Sequence, residues 1–403
     1  MAVQASERIA NNLYQEKLHQ AGELLTEHNL DLWLILVRET SEHTDPALKL
    51  LGHFSLTWPT AIILTRSGSA LAITGLGDDE AVRHAGLFDE VRPYTQSIGP
   101  ELLRVLQRYD PQRIGINVSR SDVSADGLSY GMYLNLCDYL AGTPYRERLV
   151  SAEHFVAALR SRKTPQEVAR MRAAAELSMR IFTAVGDFLH PGVSEREVAA
   201  FVHAQTQAAG ATTAWDPAHC PGLNAGPNSP WGHVGPSDEI VRPGEVFHMD
   251  FGVQLDGYCS DHQRVWYCLR PGENAPPEEA QHAFNAVKAA IRAAAAAIRP
   301  GVVGWEIDAI ARQTITAAGY PEYPHALGHQ VGRAVHDGGV GFYPRWERYG
   351  DKPYGTIDAG MVLTLELGVR TRYGYISLEE EILVTPTGCE WIGPPQEELW
   401  LIR

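Results

Sequence analysis

The chain has 403 residues, which at roughly 100–200 residues per domain leads us to expect two domains. Hydrophobic residues make up 44% and charged residues 21%, enough apolar material for a large core, so a mainly disordered chain is excluded. Lys and Arg total 34 against 49 Asp and Glu, a net charge of −15; a general nucleic-acid binder or a protein docked on anionic membrane would need a basic face instead.

The amino-terminal MAVQASERIANNLYQ lacks the apolar segment of a secretory leader. No run approaches the ~18 apolar residues of a membrane span. The alanine-rich AVKAAIRAAAAAIRP is broken by Lys288 and Arg292 and reads as a soluble helix. The five cysteines are an odd number without a C-x-x-C pair. This argues against a disulfide framework or a thiolate zinc site and for the reducing cytoplasm.

Over the first ~150 residues helical and strand patterns alternate, the signature of an α/β domain. Residues 7–28 read as an amphipathic helix. DLWLILV (31–37), TAIILT (60–65), ALAIT (70–74) and RIGINV (113–118) read as strands, and helices fall near 78–86, 100–109 and 128–141. His43, His53 and His84 are scattered and form no motif. A boundary falls near Arg160–Thr164. There Thr164 is an N-cap, Pro165 takes the first helical position and Glu167 completes a capping box. The chain is therefore divided into domains 1–160 and 161–403.

The second domain repeats itself. PGVSEREVAAFVHAQTQAAG (191–210) and PGVVGWEIDAIARQTITAAG (300–319) share Pro, Gly, Val, Glu and a closing Ala-Ala-Gly. Downstream, PGEVFHMDFGV (243–253) matches AGMVLTLELGV (359–369) in its Gly, Val, acidic and Gly-Val positions. A duplicated helix–helix–strand unit implies two halves related by a pseudo-two-fold, with a binding site between them.

Each copy carries acids in an apolar strand, where burial is costly unless they are paired or bound to metal. Asp250 and Asp261 are symmetric about Leu255–Asp256, beside an Asp-Gly turn signal. Glu366 and Glu379 are symmetric about Arg372–Tyr373. In a hairpin such residues lie opposite one another, with Cβ atoms ~4.5–5.5 Å apart, close enough to share ions about 3.5–4 Å apart. HALGHQVGRAVHD (325–337) presents His325, His329 and His336. Gly328 and Gly332 argue against a helix there, so the segment reads as a glycine-rich loop or strand. His233 precedes Asp250 in WGHVGPSDEI.

These segments, HVGPSDEIVRPGEVFHMDFG, the Asp250…Asp261 pair, HALGHQVGRAVHD, MVLTLELG and SLEEEILVT, resemble the pita-bread metallopeptidases. That family includes methionine aminopeptidase, aminopeptidase P, prolidase and creatinase. The resemblance covers roughly residues 164–403. The preceding α/β region looks like the amino-terminal domain of the creatinase, prolidase and aminopeptidase P branch. The fold implied is thus a creatinase-like α/β domain followed by an α+β pita-bread catalytic domain with a pseudo-two-fold internal repeat.

The resemblance implies two divalent metal ions held by Asp250, Asp261, His329, Glu366 and Glu379. Asp261 and Glu379 bridge the ions, Asp250 holds one, and His329 with Glu366 holds the other. Oxygen-rich ligation with one imidazole favours Mn, with Co, Fe or Zn also accepted. The activity implied is Xaa-Pro hydrolysis by a metal-bridging hydroxide, as a dipeptidase (prolidase) acting on small peptides. Aminopeptidase P action on longer peptides, or C–N hydrolysis of the ectoine-ring type, is the alternative. Glu366 is then the proton acceptor, and His233, His325 and His336 hold substrate and stabilise the tetrahedral intermediate. His233, His336, Arg333 and Arg370 are candidates for the substrate's carboxylate, and Trp215 and Trp231 either wall the proline pocket or pack. Members of this branch are often dimeric, so a cytoplasmic homodimer with no nucleic-acid or membrane partner is expected. Two positions depart from the pattern: Leu367 stands where relatives have Pro, and Ser377 where they commonly have a supporting Arg. Arg370 or Arg372 is the candidate substitute.

Overall fold

The computed structural model describes residues 2–230, 232 and 234–403, with side chains from Asn12 onward. It comprises two compact units, Met1–Arg160 and Ser161–Arg403.

The first unit runs α1 (Ala2–Glu27), β1 (Leu32–Val37), β2 (Thr60–Thr65), β3 (Ala70–Gly75), α2 (Asp79–His84), β4 (Glu90–Tyr94), α3 (Gly99–Tyr109), β5 (Ile114–Ile116), α4 (Tyr130–Tyr139), β6 (Leu149–Ser151) and α5 (Glu153–Ser161). Its six strands form one sheet in the order β4-β3-β2-β1-β5-β6. Strands β1 to β3 are buried along their whole length, which is why they appear as unbroken apolar runs. Alternation splits β1 between two cores. Trp33 and Ile35 pack with Leu25 of α1 and Phe155 of α5, while Leu34 and Leu36 pack with Leu102 of α3 and Leu136 of α4. Strands β4 and β6, absent from the sequence pattern, lie at the two edges, where Pro93 is tolerated.

The second unit opens with α6 (Pro165–Phe188). Its capping box is formed as the sequence predicts: Thr164 Oγ1 accepts from the Glu167 N–H, and Glu167 Oε2 accepts from the Thr164 N–H at 2.9 Å. There follow α7 (Glu195–Ala208), β7 (Thr212–Thr213), β8 (Gly222–Ala225), β9 (Val246–Phe251), β10 (Val253–Leu255), β11 (Tyr258–Cys259), β12 (His262–Cys268), α8 (Glu278–Ala297), α9 (Gly304–Ala317), β13 (Val362–Thr371), β14 (Gly374–Val384), β15 (Cys389–Trp391) and β16 (Trp400–Ile402). Helices α7 and α9, from the two copies of the repeat, are each 14 residues long. The residue before each makes an isolated antiparallel bridge, Ser194 to Ile240 and Val303 to Thr356. All five cysteines carry free thiols.

The main sheet has seven strands, with the central order β13-β14-β12-β9-β8, β15 beside β14 and β16 beside β12. One face is covered by helices. Met249 and Phe251 pack with α6 and α7, and Leu365 and Leu367 with α8 and α9. Period-2 alternation sends their neighbours Asp250 and Glu366 to the other face.

The two hairpins differ from one another in how well their register was anticipated. Glu366 pairs directly with Glu379 across β13 and β14, as their symmetry about Arg372–Tyr373 predicts. In the first hairpin Asp250 pairs with Gln263, not with Asp261. The turn centre is Asp256–Gly257, one residue beyond the expected Leu255–Asp256. Both turn residues have positive φ, 49° and 79°, as a type I′ turn requires of both its central positions. Asp261 therefore stands diagonal to Asp250 on the same face, still within side-chain reach. Close approach of the two strands is set by Gly252, where a Cβ would lie 1.8 Å from the Ser260 carbonyl oxygen. We predict that Gly252→Ala forces these strands apart and costs about 1–3 kcal/mol or more. A thermal-melting midpoint equal to that of the wild type would contradict this backbone contact.

Candidate functional site

The sheet places four polar side chains in one row. Asp250 on β9 pairs with Gln263 on β12, Gln263 with Glu379 on β14, and Glu379 with Glu366 on β13. Asp261 joins the row from the position just before β12, its backbone N–H donating to Glu381 Oε1 at 3.0 Å.

His329 reaches the same point from outside the sheet. Segment 327–331 runs extended along β13: Glu366 N–H donates to Leu327 O at 2.6 Å, Thr364 N–H to His329 O at 2.9 Å, and Val331 N–H to Val362 O at 3.1 Å. Gly328 permits this approach, since a Cβ there would meet Thr364 O at 1.9 Å. His329 Nε2 then lies 3.6 Å from Asp261 Oδ2, 3.9 Å from Glu379 Oε1 and 4.0 Å from Glu366 Oε1. The Nδ1–H of the same ring donates to Gln330 O at 3.2 Å. A neutral ring held this way directs its Nε2 lone pair at the carboxylates. Burial, and secondarily His336, pushes the His329 pKa down to about 3, so the ring stays neutral.

Three observations fit this cluster to divalent cations. Asp261, His329 and Glu379 offer ligand atoms within 4.8 Å of one another. Asp250 Oδ1, Asp261 Oδ1 and Glu379 Oε1 are buried without a hydrogen-bond partner, a costly state for a carboxylate unless a cation binds it. Burial, followed by repulsion from neighbouring carboxylates, holds Asp261 and Glu379 far above the usual carboxylate range. Bound cations invert that electrostatic preference.

The rest of the predicted set is spread around this centre. His336 packs edge-on against His329, ring centroids 4.3 Å apart. His325 precedes the strip along β13, and its Nδ1–H donates to Ala326 O at 2.7 Å, leaving Nε2 as an acceptor in the neutral ring. Burial lowers its pKa and favours that neutral form. A buried ion pair on α9 fixes this segment. Arg312 bonds Asp308 at 2.6 Å, donates to Tyr323 O at 2.7 Å and to His325 O, while Asp308 accepts from Leu327 N–H at 3.1 Å. His233 and Trp231 lie outside the described residues. The chain on either side of them is tied to Glu195 in the first turn of α7, which accepts from Ala225 N–H, Ser229 Oγ–H and both Ser237 N–H and Oγ–H at 2.6–2.8 Å. Trp215 packs on the core under α6 and α7. Arg333 stacks over the Tyr258 ring at 4.8 Å. Arg370 sits four residues after Glu366 on the same face, roughly 13 Å along the strand. It lines a small cavity of about 70 Å³ with Asn224, Ser229, Thr371 and Tyr375.

Of the two candidate replacements for an arginine at position 377, Arg370 and Arg372, the second is turned away from the acids. That side chain is 70% exposed and pairs with Glu279 at 2.8 Å. Gln263 lies there instead, a residue the sequence reading passed over. Its Nε2 donates to Glu379 Oε2 at 3.0 Å and Glu366 Oε2 at 3.2 Å. The only sequence signal was a polar residue in HQRVWYC on the same alternating face as the acids. Arg264, the next residue, turns to the opposite face and pairs with Glu380 at 2.9 Å, while its Nη1 donates to the carbonyls of Gln263 and Glu379.

The model of metallopeptidase family M24 matches residues 169–386. An uncharacterized peptidase of Staphylococcus aureus is 34% identical over 235 residues, 58% of this chain and 62% of its own length, so the chain matches less than two thirds of that relative. An uncharacterized Bacillus subtilis peptidase is 28% identical over 288 residues, 71% of this chain and 76% of its own. Among solved structures, an Xaa-Pro dipeptidase from Bacillus anthracis has TM-score 0.73 at 24% identity, covering 96% of this chain and 100% of the other. An X-Pro aminopeptidase from Thermotoga maritima has TM-score 0.71 at 23% identity, covering 93% and 98%. At these identities the structural likeness establishes the fold: a metallopeptidase domain preceded by an amino-terminal domain.

In metal-free protein, burial pushes the Asp250 and Glu366 carboxyls up to about 7 and about 8, with Asp250 adding to the shift of Glu366. Unfolded carboxyls titrate near ~4, so the folded state binds more protons between these limits. The stability they contribute is complete below that value and is lost as pH rises through about 7 to 8. Metal-free protein is therefore expected to melt at a lower temperature at about pH 9 than at about pH 5, with added Mn removing most of the difference. A chelated sample whose midpoint is flat or rises over that range would refute this.

Proposed function

The chain belongs to metallopeptidase family M24, and from that premise we propose that it is a two-metal hydrolase of Xaa-Pro bonds, acting as a dipeptidase. The observation carrying the metal assignment is the presence of buried, partnerless oxygens on Asp250, Asp261 and Glu379 in a cluster where Asp261 and Glu379 also stand 3.6 and 3.9 Å from the Nε2 of His329. Asp250, Asp261, His329, Glu366 and Glu379 hold two divalent ions, Mn in our reading, and four carboxylates balance their charge. The two ligand-bearing hairpins belong to halves we read as related by a pseudo-two-fold. When bound, such ions make water a nucleophile near neutral pH and polarise the scissile carbonyl.

The chain's own groups do the rest. Glu366 accepts the proton of the attacking water and returns it to the departing imino nitrogen of proline. His325, with Nε2 as acceptor, receives a substrate N–H, and its segment is kept rigid by the Asp308–Arg312 pair. We assign to His336 and His233 the holding of substrate and the stabilisation of the tetrahedral oxyanion. Arg370 binds the free carboxylate, since a desolvated carboxylate needs a cationic partner; its cavity on the same face supports this role. We place the enzyme in the cytoplasm as a homodimer that acts on peptides and binds neither nucleic acid nor membrane. Among the described residues no helix is long and apolar enough to cross a membrane.

Stripping divalent ions should abolish turnover and Mn should restore it best. Asp261→Asn and Glu379→Gln should each weaken both ions, whereas Asp250→Asn should mainly release one; metal titration with two intact sites in Asp261→Asn would exclude its bridging role. For specificity, Mn-reconstituted enzyme is expected to cleave Ala-Pro at least as fast as Ala-Pro-Ala and to leave Ala-Ala intact. Arg370→Ala should raise KM for Ala-Pro while sparing the tripeptide. Faster cleavage of Ala-Pro-Ala, with little turnover of the dipeptide, would make the enzyme an aminopeptidase.

A further inference from the structure

We propose that Gln263 is the positioning residue that orients Glu366 and Glu379 for the ion they share with His329. The inference rests on the two-metal reading above. Gln263 is 6% exposed and occupies the row between Asp250 and Glu379. Both hydrogens of its amide nitrogen are committed, one to Glu379 Oε2 at 3.0 Å and one to Glu366 Oε2 at 3.2 Å. Its oxygen accepts from Ser377 Oγ at 2.6 Å and faces His248 Nε2 at 3.0 Å. The amide orientation is therefore determined, because the flipped amide would set its oxygen against two carboxylates.

This arrangement sorts the glutamate oxygens. Each Oε2 turns toward Gln263, and each Oε1 turns toward His329 Nε2, at 3.9 Å for Glu379 and 4.0 Å for Glu366. One neutral side chain thus aims two mutually repelling carboxylates at a common point. It does so without adding a cation that would compete for their charge. Ser377 makes this possible in two ways. Its small side chain leaves room for the glutamine, and its hydroxyl fixes the amide. His248 on the neighbouring strand lies beside the same amide oxygen. Ser377 and Gln263 therefore act as one unit, which gives the departure at position 377 a physical role.

The test uses full-length protein titrated with Mn, reading free Mn by electron paramagnetic resonance, alongside the melting midpoint of the metal-free form. Gln263→Met keeps length and removes both donors; Gln263→Glu keeps shape and places an acceptor against two acceptors. Each is expected to weaken the ion held by His329 and Glu366 about 10–100-fold, the usual effect of removing a group that orients a ligand, and to weaken the other ion, which shares only Glu379 with Gln263's partners, by less. Ser377→Ala should shift the same ion in the same direction by less. If both ions bind Gln263→Met and Gln263→Glu as tightly as wild type, the proposal is overturned, whatever the midpoints do. A lowered metal-free midpoint with unchanged affinities also overturns it, since that is the mark of a purely structural residue. Should wild type itself bind no Mn, the two-metal reading fails and the role of Gln263 with it; two tight ions in wild type and in both variants would remove only Gln263.

Discussion

Mutual repulsion among acids buried at one level of an apolar sheet is the constraint around which the second unit is arranged. Asp250, Asp261, Glu366 and Glu379 stand within a few side-chain lengths of each other, and desolvation and like charge both disfavour their ionised forms. Such a cluster persists in a folded protein only if the surrounding structure imposes it and a cation relieves it. Here the imposition comes from strand pairing, which fixes three of the acids and Gln263 in adjacent registers.

The rest of the unit serves that row. Helices α6 to α9 bury the opposite face, so alternation leaves the acids nowhere else to point. Glycines at 252 and 328 let backbones approach where a side chain would collide with a carbonyl oxygen. Arg264 and Glu380 neutralise each other on the helix-covered side and hold the carbonyls behind Gln263 and Glu379. Asp308 and Arg312 do a similar job for the histidine segment, from α9. Each support is a buried polar group with its partners in place, the condition under which such networks rigidify a site.

The two acid-bearing hairpins contribute unequally. The first hairpin bends into a separate three-stranded sheet beyond Gly252 and sends Asp261 in diagonally. The second stays regular and sets Glu366 squarely opposite Glu379. Among the described residues, the imidazole nearest these acids, that of His329, comes from the strip beside β13. A site assembled this way has carboxylates on all sides and one neutral nitrogen, a donor set suited to hard divalent ions.

Much of this was legible in the residues alone. Apolar runs and period-2 alternation marked the central strands, the Thr164 capping box marked the start of α6, and the repeated acidic strands marked where the buried acids cluster, because these signals are local and depend on side-chain chemistry. Register in the first hairpin was not legible. Symmetry about Leu255–Asp256 and about Asp256–Gly257 differ by one residue, and only the positive φ of both Asp256 and Gly257 selects the second. Gln263 was also invisible as a site residue, since a lone glutamine in a strand has no pattern until β14 brings Glu379 and Ser377 beside it. Residue type and spacing determined which groups are available to bind a cation. Which oxygen of each carboxylate points where was decided by the packing of strands distant in sequence, because hydrogen-bond direction depends on neighbours that only the tertiary structure supplies.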